Sequence, residues 1–118
     1  LMMVPIFLTG CTTFSLTNLT ATHQPRNDND LYMVELEITS NQHTLRWDSI
    51  RPFVVIGFDF YEMQLTPLLS NRWETLIPIP ADQNILHYRF KVDYDFNQFG
   101  SRGQGSKMST EYTLTVRE

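Results

Sequence analysis

Apolar and polar residues alternate with period two along most of this chain. The clearest run covers residues 86–96, where Leu86, Tyr88, Phe90, Val92, Tyr94 and Phe96 interleave with His87, Arg89, Lys91, Asp93 and Asp95. Side chains of a strand point alternately to its two faces, so this run predicts a long strand with one buried and one wet face. A helix would scatter the six apolar groups around its circumference. Tyr32, Val34, Leu36 and Ile38 alternate in the same way with Met33, Glu35 and Glu37. So do Tyr112, Leu114 and Val116 with Glu111, Thr113, Thr115 and Arg117. Leu45 and Trp47 alternate with Thr44, Arg46 and Asp48, and Phe14 and Leu16 give a weaker first strand. Residues 53–61 are β-branched and aromatic, which predicts a central strand buried on both faces for part of its length. Residues 72–77 predict another strand, closed by Pro78 and Pro80.

Turn chemistry separates these runs. Gln24 to Asp30 is polar, Ser40-Asn41-Gln42 predicts a short hairpin turn, and Arg51-Pro52 a break or bulge. Thr66 to Asn71 and Pro80 to Asn84 read as loops. Residues 97–110 hold Gly100, Gly103 and Gly105 among several serines and predict one long flexible loop. No stretch of ten residues carries an apolar helical stripe. The expectation is an all-β chain: a single antiparallel β-sandwich of seven or eight strands.

Composition narrows the function classes. At 118 residues with 42% apolar residues, the chain has the size and core of one domain. Its net charge of -4 disfavours nucleic acid, which needs a basic face. One cysteine allows neither an intrachain disulfide nor a multi-cysteine zinc site.

That cysteine has a context. Residues 1–8, Leu-Met-Met-Val-Pro-Ile-Phe-Leu, are uncharged and too few to span a bilayer. Pro5 argues against a central strand. An apolar run followed by small residues is how a secretory signal ends. Leu8-Thr9-Gly10-Cys11 resembles the lipobox of bacterial lipoproteins. In that family the cysteine thiol receives a diacylglycerol, and a peptidase cuts just before it. The resemblance implies that residues 1–10 are removed and that Cys11 becomes the lipidated first residue. It implies that residues 11–25 hold the lipidated N-terminus, a tether and the weak first strand, and that 26–118 form the sandwich. No basic segment precedes the run, so the chain is expected to begin inside a longer leader. The expected location is the bacterial cell envelope, membrane-anchored and facing the periplasm or the cell surface.

Pro80-Ala81-Asp82 followed by Tyr88-Arg89-Phe90 resembles the corner before the penultimate strand of immunoglobulin-like domains. There a tyrosine hydroxyl bonds back to the loop backbone. Phe90 stands where the disulfide cysteine would be, so the similarity is to disulfide-free immunoglobulin-like and fibronectin-like modules. The stretch from Trp73 to Asp93 is also similar to early-set sandwiches appended to starch-active enzymes.

Candidate chemistry is sparse. His23, His43 and His87 are isolated and read as surface residues. Asp93 and Asp95, with Asp59 and Glu62, have the oxygens for calcium or a glycosidase pair. Arg89 and Lys91 continue the Asp93–Asp95 row, which favours a solvated mixed-charge face. No Gly-x-Ser-x-Gly elbow is present. The stretch 99–107 offers Arg102 and Lys107 as counter-charges for a phosphate, but no helix follows, so a mobile partner-binding loop is the better reading. Trp47, Trp73 and Tyr61 suit sugar stacking or core packing, and Arg72-Trp73-Glu74 is the most distinctive cluster. Neither catalytic residues nor a metal site nor a cofactor is expected. The expected function is a non-enzymatic envelope lipoprotein, an interaction or structural module held to the membrane through Cys11 and meeting an envelope protein or glycan. The alternatives are a carbohydrate-binding module using exposed rings, and an accessory subunit of an envelope assembly pairing through a strand edge.

Overall fold

The structure, a computed structural model, describes residues 14–98 and 100–118. The lipobox residues Leu8 to Cys11 lie outside the described residues. In chain order the strands are β1 (Phe14–Asn18), β2 (His23–Pro25), β3 (Leu31–Ser40), β4 (Leu45–Ile56) and β5 (Asp59–Glu62). They continue with β6 (Gln64–Leu65), β7 (Arg72–Pro78), β8 (Ile85–Gln98), β9 (Ser101–Met108) and β10 (Tyr112–Arg117). The chain is all-β in two sheets, as a β-sandwich requires. One sheet has four strands in the order β1-β3-β7-β6. The other has six, in the order β2-β10-β8-β4-β5, with β9 also paired to β8.

The period-two runs became the facing layers. Tyr32, Val34, Leu36 and Ile38 of β3 are all buried, as are Leu86, Tyr88, Phe90 and Val92 of β8 and Leu114 and Val116 of β10. Trp73 and Ile77 of β7 and Val54 of β4 complete the centre of the core. Each fully buried aliphatic side chain contributes roughly 1.5–3 kcal/mol. Tyr94 and Phe96 keep the inward phase of β8 but are only half-buried. Phe14 of β1 stacks on Tyr94 with ring centroids 4.6 Å apart, which joins the two sheets at that end.

Strand β8 organises the larger sheet. Along one edge it pairs with β4. Along the other it pairs first with β10, at Ile85–Tyr88, and then with β9, at Lys91–Gln98.

Several expectations need correction, the strand count among them: ten strands form among the described residues rather than seven or eight. Residues 97–110 are not one loop: β8 runs to Gln98, and β9 pairs with it residue for residue from Ser101 to Met108. Residues 53–61 are not one central strand: Gly57, at φ 61°, turns the chain, and β5 folds back on β4 at the sheet edge. A left-handed residue favours glycine and makes the tight turn possible. Ser40–Gln42 is not a hairpin turn, because β3 and β4 lie in different sheets and the chain crosses between them. The Tyr88 hydroxyl does not reach back to the Pro80–Asp82 backbone; it accepts a hydrogen bond from the Asn18 amide at 2.8 Å.

The irregularity expected at Arg51-Pro52 is a register shift of β4 against β8 between Arg46 and Arg51. Ser49 and Ile50 are both buried there, so strict alternation is lost. A bulge of this kind re-aims neighbouring side chains. Trp47, expected to share the inward face with Leu45, is turned out and 43% exposed.

Candidate functional site

Two features of the fold gather chemistry at one end of the molecule. The first is the meeting of connections. Ile38 donates its backbone N–H to Asn71 at 3.0 Å, which ties the 66–71 loop to the end of β3. Asn97 donates to the carbonyl of Thr44 at 2.8 Å, which ties the β8–β9 hairpin to the crossing between the sheets. The 41–44 crossing, the 66–71 loop and the hairpin tip therefore lie at the same end as Phe14, whose register partner is Ser40. Leu68, at the tip of the 66–71 loop, has φ 69° and is fully exposed.

An open groove of about 530 Å³ lies at this end, lined by Ile38, Thr39, Ser40, Trp47, Ser70 and Asn71. Trp47 is its aromatic wall. The ring was freed by the bulge, and the hydroxyl and amide residues come from β3 and from the loop before β7. An aromatic face beside hydroxyl and amide groups suits a flat, polar, ring-shaped ligand.

The second feature is a buried carboxylate. Asp95 lies in the wet row of β8, yet it is 7% exposed. Its Oδ2 accepts from Arg102 Nε of β9 at 2.8 Å, and Arg51 Nη2 of β4 stands 3.9 Å from Oδ1. Oδ1 itself has no hydrogen-bond partner among the described residues. Ser49 closes the node: its Oγ accepts from the Asp95 backbone N–H at 2.8 Å and donates to the Arg46 carbonyl at 2.6 Å. A buried charge is tolerated only when paired. The node therefore pins the bulge to the hairpin near its tip. No periodic signal marks Asp95, because its burial comes from residues on two other strands.

Beside it, a concavity of about 350 Å³ is lined by Arg51, Asp93, Gln104, Gly105 and Ser106. The Lys91 ammonium, 2.7 Å from Asp93 Oδ1, holds the Asp93 carboxyl below the ordinary carboxylate range. The Ser106 hydroxyl, donating at 2.9 Å, acts in the same direction, and partial burial opposes both.

The six residues singled out for binding do not converge. Trp73 is 7% exposed and belongs to the core, so its ring is covered and stacks on no ligand. Tyr61 is half-buried and packed against the core from β5. Arg72 is exposed and faces Glu37 at 3.9 Å. Arg102 is held by Asp95. Lys107 lines a shallow groove between β1 and β9, with Phe14, Leu16, Met108 and Tyr112. Of these six, Trp47 alone presents a ring at a concave surface. His23, His43 and His87 stay apart and exposed, and no group of three metal-binding side chains forms among the described residues.

Set against known proteins, the chain matches no family model, no curated protein and no solved structure.

Proposed function

We propose that this chain is a membrane-anchored, non-enzymatic interaction module of the bacterial cell envelope, built on an immunoglobulin-like sandwich. The observation that carries the reading is the spacing between Cys11 and the first strand. Leu8-Thr9-Gly10-Cys11 ends three positions before Phe14, where β1 begins. An extended chain covers at most about 3.5 Å per residue, so the acylated cysteine would sit within about 10 Å of the sheet. Each buried acyl CH₂ adds about 0.8 kcal/mol to the membrane affinity, and two or more chains hold a small domain stably. The Phe14 end, with its three connections and the Trp47 groove, would then lie toward the headgroups.

The immunoglobulin-like part rests on strand order. The order β1-β3-β7-β6 corresponds to A-B-E-D of that fold. The order β10-β8-β4-β5 corresponds to G-F-C-C′, with β9 on the same edge of F as G and β2 running parallel to β10. In domains of this topology the loops at one end of the sandwich are the usual binding surface.

Acylation tests the reading. With labelled palmitate in a bacterial host, the parent chain expressed behind a complete leader is expected to carry the label and to be cut before Cys11. Cys11→Ser is expected to lose the label and to accumulate as uncleaved precursor. Full labelling of the variant would overturn the anchor.

Trp47 favours a second reading, a glycan-binding module. Its ring is 43% exposed beside Ser70 and Asn71. Trp47→Ala is then expected to abolish retention on immobilised glycan, and unchanged retention would remove this reading.

A further inference from the structure

The outer face of the six-stranded sheet is complementary to itself. Its residues form rows across the strands. Phe53 of β4 has Glu62 of β5 as one register partner and Lys91 of β8 as the other. Val55 of β4 likewise has Phe60 on one side and Arg89 on the other. The rows are therefore Glu62–Phe53–Lys91, extended to Met108 of β9, and Phe60–Val55–Arg89. Their neighbours in sequence, Pro52, Val54, Phe90 and Val92, point into the core, so these side chains point outward.

Apolar surface is concentrated here. Phe60 is 54% exposed and Met108 48%, and Phe58, in the adjacent turn, is fully exposed. Phe53 and Phe60 meet edge to face at 6.2 Å, which holds the ring of Phe60 on this face. In these two rows the acid, Glu62, lies on the β5 side and the bases, Arg89 and Lys91, on the β8 side, with Phe53 and Val55 of β4 between them; Lys91 also bonds Asp93 of its own strand at 2.7 Å and stands 5.9 Å from the Phe60 ring. Among the described residues no side-chain partner is found for Glu62 or Arg89. Mixed signs disfavour an anionic membrane or a polyanion as the occupant.

We propose that this face docks on a second copy of the same chain. A two-fold axis parallel to β4, lying between the facing sheets, leaves each row in place and exchanges its two ends. Glu62 then meets Lys91 of the second copy. The ring of Phe60 meets Arg89 of the second copy, a cation–π arrangement. Phe53 and Val55 meet their own counterparts. This is an isologous contact, in which one patch serves both partners. Arg51, at the edge of the face, is held within its own chain by the Ser49 carbonyl at 2.9 Å. The axis superposes three strands, β5, β4 and β8, and with about six residues of length these give roughly 300 Å² of face per copy. That is less than half a standard interface, so the dimer is weak.

Charge exchange tests the proposal by sedimentation equilibrium on the whole chain. Non-ionic detergent and a reductant keep the leader and Cys11 from linking copies. The parent chain is expected to show a reversible monomer–dimer equilibrium. Glu62→Lys and Lys91→Glu are each expected to weaken it about tenfold or more, since each sets like charges opposite one another twice per dimer. Mixing the two variants is expected to restore association, because every contact in the mixed dimer then pairs opposite signs. A purely structural role for either residue would not produce that rescue. A monomeric parent at millimolar concentration, an unchanged constant for Glu62→Lys, or a mixture no tighter than the single variants would each overturn the proposal.

Discussion

Gly105 of β9 lies directly beneath the ring of Tyr94 on β8. A Cβ at that position would stand 2.6 Å from the ring. Gly103 has the same relation to Phe96, at 2.5 Å. The register makes both pairs direct cross-strand partners. The glycines therefore do not loosen this stretch; they leave space for two rings to lie across the neighbouring strand.

Gly105→Val is expected to destabilise the fold by about 1–3 kcal/mol through overpacking. The Tyr94 ring cannot simply swing away, because Phe14 stacks on it. Urea denaturation measures the loss, and hydrogen exchange is expected to locate it in the 101–108 amides. Gly57→Asn is the control. Its φ of 61° suits asparagine, and nothing lies within 4 Å of an added Cβ, so stability should stay within about 0.5 kcal/mol.

Tyr88→Phe is expected to cost about 1 kcal/mol, the usual net worth of a hydrogen bond whose partner is left behind. The ring is 2% exposed, and its oxygen accepts from Asn18 across the two sheets. In a double-mutant cycle, Asn18→Ala in the Tyr88→Phe background should add less than it does alone. Full additivity would mean that the bond does not link the sheets.

Arg102→Ala is expected to destabilise more than Arg72→Ala. Arg102 bonds a carboxylate that is 7% exposed, and its loss leaves that carboxylate with Arg51 alone at 3.9 Å. We expect about 1–2 kcal/mol, against less than about 0.5 for Arg72, whose pair with Glu37 is the surface kind. Equal melting temperatures for the two variants would remove the structural role assigned to Asp95.

Acid sensitivity follows from Asp93. Its folded-state pKa is lowered from the ordinary 3.8, so the folded chain favours the ionised form. The resulting stability is fully present above pH 3.8 and is lost as pH falls through the lower folded-state value. Lys91→Met removes the main cause of the shift. Below about pH 4 its stability should therefore fall less steeply than that of the parent chain. Parallel curves over that range would contradict the assignment.

The strands of the core were legible from the chain alone. Alternation is a local property, so residues 86–92, 32–38 and 112–116 declared both their conformation and their inward side. Tertiary structure decided the rest. Local turn chemistry at Ser40–Gln42 does not say which sheet the next strand enters, and that choice separated β3 from β4. Glycine permits strand and loop alike, so it was pairing with β8, with the rings of Tyr94 and Phe96 lying over Gly105 and Gly103, that made β9 a strand. The bulge in β4, fixed by pairing with β8, turned Trp47 outward and Ser49 inward. Asp95 became a buried charge only because arginines on β4 and β9 reach it, and burial of that kind depends on groups distant in the chain, which no periodic pattern records.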